Sequence, residues 1–311
     1  MLGVMRILVI VALAMAGSPR ADTTSPPQPR DQIEGLISQF DGEAGLYARN
    51  LNSGEEVAVN ASTRFPTAST IKTAVMLEAY EQAAAGKLRF DDVVTLTDTV
   101  KVGGSGILNG LSAGLPLRIA DLVQLMIVLS DNTSTNILVE RLGTTQIDDR
   151  LLAYKLQETK LFRPTFRDGR ADVFPELERE FGLGMTTPRD MGELMALIAG
   201  GRAVNAEASS AMLATLRRQT DKGMIPRLLP AGIEVGNKTG TDAEKLPDAK
   251  GRRGSIRADA AIVTGPGLKY VVTIFTRRGG DSASGVDNAA LLLGARLSRL
   301  VFDHFASPSP R

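Results

Sequence analysis

The sequence predicts an α+β fold, with an antiparallel sheet, helices against it and a separate helical lobe. Two observations predict it. Strand-like segments lie near both ends of the chain, at residues 45–49 and 56–60 and again at 234–237, 257–263 and 270–276, while helical periodicities crowd the middle. The strands also lack the regular strand–helix–strand alternation of a parallel sheet. Terminal strands can therefore share one sheet while the middle forms a second lobe, and a cleft between two lobes is a common place for a ligand.

Residues 1–16 read as a secretory signal. Arg6 supplies the positive start, residues 7–16 are an apolar run too short to span a bilayer comfortably, and Ala14-Met15-Ala16 is a small-x-small cleavage site before Gly17. Residues 17–30 form a Pro- and Ser-rich leader, 31–305 a single catalytic domain and 306–311 a tail. Ile33, Leu36, Ile37 and Phe40 have helical spacing behind Asp31 as a cap. Turn residues at 50–54 join the first two strands into a hairpin. Helices follow over 70–85, stopped by Gly86 at C′, then over 119–129, over 133–142 with Gly143 behind it, and over 145–156. Periodicity is lost from 158 to 185, a stretch too long for an ordinary connection and therefore functional or partly helical. Thr187 caps the next helix with Pro188 at its first position. Residues 206–217 form another helix, strands return after Pro230, and a helix over 286–305 closes the domain.

Composition narrows the chemistry. Lys plus Arg is 36 and Asp plus Glu is 35, so no strong field draws the chain to nucleic acid or an acidic membrane surface. There is no cysteine, which excludes disulfides, a thiol nucleophile and a Cys-ligated metal. His304 is the only histidine, so neither a Ser-His-Asp triad nor a polyhistidine zinc site is expected. A general base here is expected to be Lys, Glu or Asp.

Three short motifs stand out. In Ser69-Thr70-Ile71-Lys72 the serine and lysine are three apart, on one face of a helical turn, so the amine can meet the hydroxyl. Burial or nearby charge would make that amine a base; the plain alternative is a solvent-facing pair at a helix start. Ser130-Asp131-Asn132 lies between two helices, where Ser130 could relay a proton and Asn132 grip an amide, or all three could simply serve a helix cap. In Lys238-Thr239-Gly240-Thr241, Gly240 permits a close approach to the backbone and Lys238 offers charge to a carboxylate; otherwise it is a strand running into a turn.

Taken together, Ser-x-x-Lys, Ser-Asp-Asn and Lys-Thr-Gly in this order resemble the signature of class A β-lactamases and penicillin-binding enzymes. The separations, 61 residues from Ser69 to Ser130 and 108 from Ser130 to Lys238, are similar to that family's. So are the flanks Arg64-Phe65-Pro66, Leu125-Met126-Ile127, Thr133-x-Thr135-Asn136 and Thr186 to Met191. The resemblance implies a five-stranded antiparallel sheet flanked by helices, with the site between sheet and helical lobe. It implies that Ser69 becomes acylated, with Lys72 helping to deprotonate it. Ser130 would pass a proton to the leaving nitrogen, supported by Lys238. Asn132 would hold the substrate's side-chain amide, Thr239, Gly240 and Thr241 would line its carboxylate end, and the N–H groups of Ser69 and Thr241 would form the oxyanion hole. Arg257 would be a carboxylate-binding arginine, or else an exposed strand arginine. The implied substrate is a β-lactam or a peptidoglycan stem peptide, with no cofactor, no metal and no nucleic acid. The expected protein is periplasmic or secreted, monomeric, and without a stable membrane span once the signal is cleaved.

One expected element is missing. The family carries Glu-x-x-x-Asn before the Thr-Thr-Pro segment, and its Glu orients the water that cleaves the acyl-enzyme. Residues 158–185 contain no asparagine, and counting back from Pro188 puts the Glu position near Ala171. Asp168, Asp172, Glu176, Glu178 and Glu180 are available acids with no assigned role. Arg163 could hold this loop by an ion pair, and residues 175–180 read as a solvated helical turn. Without an activated water the acyl-enzyme would persist, which keeps a D-Ala-D-Ala carboxypeptidase, a penicillin-binding protein or a non-turnover binder as alternatives. Residues 245–255 form an unusually basic loop that could rim the cleft or simply face solvent.

Overall fold

The structure, a computed structural model, describes residues 29–247 and 251–307. The signal segment and most of the leader lie outside the described residues. Pro29 and Arg30, expected to end the leader, instead open α1 (Pro29–Ser38). Asp31 is therefore a first-turn residue rather than the cap, where its charge still suits the helix dipole.

A hairpin follows, β1 (Glu43–Asn50) and β2 (Glu56–Val59). Its turn is held by the Asn50 side chain, whose Oδ1 accepts from the N–H groups of Asn52 and Ser53. After the short β3 (Phe65–Pro66), a 3-10 turn at Ala68–Ile71 leads into α2 (Lys72–Ala84). Gly86, at φ +70, ends α2 as expected. Its N–H reaches Ala83 O and that of Lys87 reaches Gln82 O, the paired bonds of a Schellman motif. Next come β4 (Val93–Thr95), β5 (Pro116–Arg118), α3 (Ile119–Val128), α4 (Asn132–Leu142) and α5 (Thr144–Ala153).

The aperiodic stretch holds β6 (Lys160–Leu161), α6 (Pro175–Phe181) and β7 (Gly184–Thr186). Strands of two or three residues are too short to show a period. Then follow α7 (Pro188–Ala199) and α8 (Ala206–Arg217). The Thr187 side chain accepts from Asp190 N, the expected cap. The chain closes with β8 (Glu234–Ala243), β9 (Ser255–Gly265), β10 (Leu268–Gly279) and α9 (Ala289–Ala306). The last helix starts three residues later than its periodicity suggests, because the Asn288 side chain caps Ala290 N and Leu291 N.

The main sheet runs β2-β1-β10-β9-β8, and every neighbouring pair is antiparallel. Helices cover both faces. Tyr270, Val272 and Ile274 pack with Ile33 of α1 and Leu297 and Val301 of α9. Val271 and Phe275 point the other way, into a core shared with Met191 and Leu194 of α7 and with Val75, Leu122 and Met126 of the helical lobe. That is why β10 reads as an almost unbroken apolar run rather than an alternation: both sets of side chains leave water. Each such buried Leu, Ile or Phe contributes roughly 1.5–3 kcal/mol. β8 is left at the sheet edge, facing the N-terminal ends of α2 and α4.

Candidate active site

The turn that carries Ser69 is held from two sides. β3 pairs with β7, and Thr67 N donates to Gly184 O at 2.9 Å. Ala68 then adopts φ +43, a left-handed conformation that strains a residue with a Cβ. The strain turns the chain abruptly, so that Ser69 stays partly exposed while Thr70, Ile71 and Lys72 are buried.

Lys72 opens α2 with no exposed surface. Its Nζ reaches three acceptors: Ser130 O at 2.7 Å, Asn132 Oδ1 at 2.8 Å and Ser130 Oγ at 3.1 Å. The sequence places Lys72 one turn from Ser69, yet among the described residues no hydrogen bond joins the amine to that hydroxyl. Such contacts often tighten only when substrate binds.

Ser130 sits between the helices at φ +54. Its Oγ is 3.1 Å from Lys72 Nζ and 3.1 Å from Lys238 Nζ. A hydroxyl that accepts two bonds has filled its lone pairs, so its own proton is free to be given away. The cap reading holds for Asp131 instead: its Oδ1 accepts from Ser134 N, and its Oδ2 from Ile107 N and Leu108 N. Asn132 Nδ2 donates to Gly103 O at 3.1 Å, which orients its amide.

Lys238 lies in β8, fully buried, and also donates to Thr239 O at 2.7 Å. Burial lowers it to about 7, opposed by the charges of Asp259 and Asp221. Lys72 falls well below the ordinary lysine value, chiefly by burial and then by the neighbouring Lys238 charge, with Asp131 acting the other way. Behind the strand, burial raises Asp259 to about 7. Two lysines in one dry site thus favour at least one free amine. Gly240 permits a close approach, as its sequence suggests, but it is the protein's own backbone that comes near. A Cβ there would stand 2.9 Å from Thr67 O and 3.2 Å from Ser69 N.

Two small cavities open onto Ser69. One, of about 150 Å³, is lined by Ser130, Thr239 and Thr241. The other, of about 200 Å³, is lined by Asn132, Thr165, Phe166, Asp168, Thr241 and Lys245, among others. Neither is lined by Arg257. It pairs across the sheet with Thr241, but its guanidinium donates to the carbonyls of Asp242, Ile256 and Ala283. It is neither an exposed strand arginine nor a free carboxylate anchor.

Of the five loop acids only Asp168 lines the cavity beside Ser69, and it is held in ion pairs. Glu178 is buried against Arg163, its Oε1 2.8 Å from Nε, and also accepts from Gly169 N. Residues 175–180 are thus helical but not wholly solvated. Asp168 pairs with Arg163 and Lys245, and Asp172 accepts from Thr144 Oγ1. Glu180 is 3.5 Å from Arg277, and Glu176 lines a separate cavity. Ala171 packs by Phe162, Phe181 and Met185, away from Ser69, so the count back from Pro188 does not find the position it sought. Among the loop residues that line the cavity beside Ser69, Thr165 is fixed by Asn136. Asn136 Oδ1 accepts from its N–H and its hydroxyl, each at 2.8 Å, while Asn136 Nδ2 donates to its carbonyl. Arg163, two residues earlier, was the sequence signal that could have anchored this position.

A model described as the beta-lactamase enzyme family matches residues 28–305. The chain belongs to that family. Among its relatives, a β-lactamase of Amycolatopsis lactamdurans is 29% identical over 222 residues, covering 70% of each chain. One from Bacillus amyloliquefaciens is 28% identical over 277 residues, covering 85% of this chain and 80% of that one. In structure it is similar to the β-lactamase of Sphaerobacter thermophilus, with TM-score 0.74, 28% identity, and 90% and 99% of the two chains covered. It is equally similar to PBP-A, with TM-score 0.75 and 25% identity over 91% and 99%. An L158E mutant of PBP-A is known as an acyl-enzyme complex with penicillin G. The β-lactamase family and fold thus account for the five-stranded sheet beside a helical lobe.

Proposed function

We propose that this member of the β-lactamase family is acylated at Ser69 by β-lactams and opens the lactam amide. The observation that carries the reading is the Ser130 hydroxyl shared by two buried lysines. Lys72, shifted toward its free amine, takes the Ser69 proton as Oγ attacks the carbonyl carbon. The N–H groups of Ser69 and Thr241 stabilise the oxyanion, a kind of interaction worth about 2.7–4 kcal/mol per donor. The carbon–nitrogen bond then breaks, and Ser130 gives its proton to the nitrogen while Lys72 or Lys238 replaces it. Lys238, Thr239 and Thr241 receive the substrate carboxylate, and Asn132 receives the side-chain amide. No step requires a metal or cofactor. Export to the periplasm or medium and a monomeric state complete the proposal.

Release of the acyl group needs an activated water, and the loop acids favour a second reading. Four of the five do not line the cavity beside Ser69, and Asp168, which does, is held by Arg163 and Lys245. This supports a long-lived acyl-enzyme of the penicillin-binding or D-Ala-D-Ala carboxypeptidase kind, with a stem peptide as substrate. Intact-protein mass followed over time with a chromogenic cephalosporin, with absorbance in parallel, separates the two. Steady turnover with little adduct supports the hydrolase. A stoichiometric burst with a lasting adduct on Ser69 supports the second reading. No adduct and no turnover, with Ser69→Ala behaving identically, overturns both.

A further inference from the structure

The cavity of about 200 Å³ beside Ser69 is smaller than the several hundred cubic ångströms usual for a small-molecule pocket. It is narrowed by an ion pair between two segments far apart in sequence. Lys245, just beyond β8, places Nζ 3.2 Å from Asp168 Oδ1, which belongs to the loop before α6. Asp168 is anchored from beneath by Arg163, itself buried and fixed by Glu178 and by the Pro164 carbonyl. The Lys245 stem reaches this partner by lying over Gly182, where a Cβ would come within 2.9 Å of Lys245 Cε. Opposite, the Phe166 ring lies against Gly104, where a Cβ would stand 2.9 Å from the ring.

We propose that the Asp168–Lys245 pair is a specificity-determining strap across the acyl end of the cleft, favouring substrates with small acyl groups. This rests on the reading of Ser69 as the acylated nucleophile. A bulky acyl group entering beside Asn132 has to part the pair or displace Phe166. Lys245 is 28% exposed and Asp168 62%, so the pair is screened by water and salt and its influence is bounded at about fivefold in rate. The strap therefore biases selection without excluding larger substrates. It acts on positioning, since neither residue touches the reacting atoms.

Acylation rates read by intact mass, for 6-aminopenicillanic acid (no acyl group) and nafcillin (a bulky bicyclic one), test the proposal. In Lys245→Ala and in Asp168→Asn the nafcillin rate should rise relative to the other by up to about fivefold. Lys245→Arg should keep the native ratio. High salt should move the native ratio toward that of the variants and leave Lys245→Ala unmoved. A ratio that is the same in native and variant proteins, with both reagents still labelling Ser69, overturns the strap alone. Failure of both reagents to label the native protein overturns the strap together with the nucleophile reading.

Discussion

Replacing Gly240 with alanine tests the contact between β8 and the Ser69 turn. The new Cβ would stand 2.9 Å from Thr67 O, 3.2 Å from Ala68 Cβ and 3.2 Å from Ser69 N, where ordinary contact begins at 3.4 Å. None of these is the free end of a flexible side chain, so β8 and the turn must part by roughly half an ångström. The two proposed oxyanion donors, Ser69 N and Thr241 N, lie on either side of that gap. Such donors act within a window of about 2.7–3.1 Å, and loss of one costs about 10²–10³ in rate. Overpacking also costs about 1–3 kcal/mol of stability. Gly240→Ala should thus fold, melt a few degrees lower, and be acylated by penicillin G at least about 10² more slowly, as read by intact mass after rapid mixing. Adding Ala68→Gly removes one contact and relieves the positive φ, so the double variant should recover part of the loss. Acylation of Gly240→Ala within about threefold of the native rate would refute the argument, because that is less than the loss of one donor.

Three other outcomes follow from the geometry. Thr165→Glu keeps the backbone bond to Asn136 and puts a carboxylate into the cavity beside Ser69; the acyl adduct should decay about 10² faster, by mass, with acylation little changed, and an unchanged decay would sink the idea. Lys238, at about 7, is charged below that pH, so the apparent affinity for carboxylate-bearing β-lactams should fall as pH rises through about 7, but not for their neutral esters. A profile flat to pH 9 for both would count against Lys238 as the anchor. Burial raises Asp148 from 3.8 to about 7, with Oδ2 unpartnered and Oδ1 accepting from Leu161 N. Its folded value is raised, so its contribution to stability is fully present below 3.8 and is lost as pH rises through about 7. Asp148→Asn should therefore gain in Tm over the native protein between pH 4 and 7, and a pH-independent difference by calorimetry would contradict the shift.

Much of the fold was legible because its long elements carry strong signals. Thr187-Pro188 opened α7 where capping preference put it, and Gly86 stopped α2 through a Schellman turn. The 3-10 start of α2 was not legible, because the same residues satisfy a helical period; Ala68, with positive φ, opens that turn after β3. Nor was the engagement of Arg257 legible, since its partners are backbone carbonyls, one of them Ala283, 26 residues away. Among the site residues, Lys72, Ser130, Asn132 and Lys238 meet within hydrogen-bonding distance, as their motifs suggest.

That contrast has a physical origin which bears on the function. Lys72 and Asn132 sit at helix starts and Lys238 in the middle of β8, so their relative positions depend on regular elements whose lengths set the spacing. The residue that would govern release on the proposed reading sits in a loop, where the residue count can change without disturbing the core. Counting from Pro188 consequently reaches Ala171, in a small apolar cluster, whereas the buried pair Arg163–Glu178 and the Asn136 side chain mark the true neighbour of the cavity. A loop site is better located by the buried groups that tie it down than by distance along the chain. Located in that way, the position beside Ser69 holds Thr165, a hydroxyl already donated to Asn136 and unable to take a proton from water near neutral pH. On the proposed reading, acylation and release are separable: the first would depend on two lysines inside the fold, the second on the loop beside the cavity.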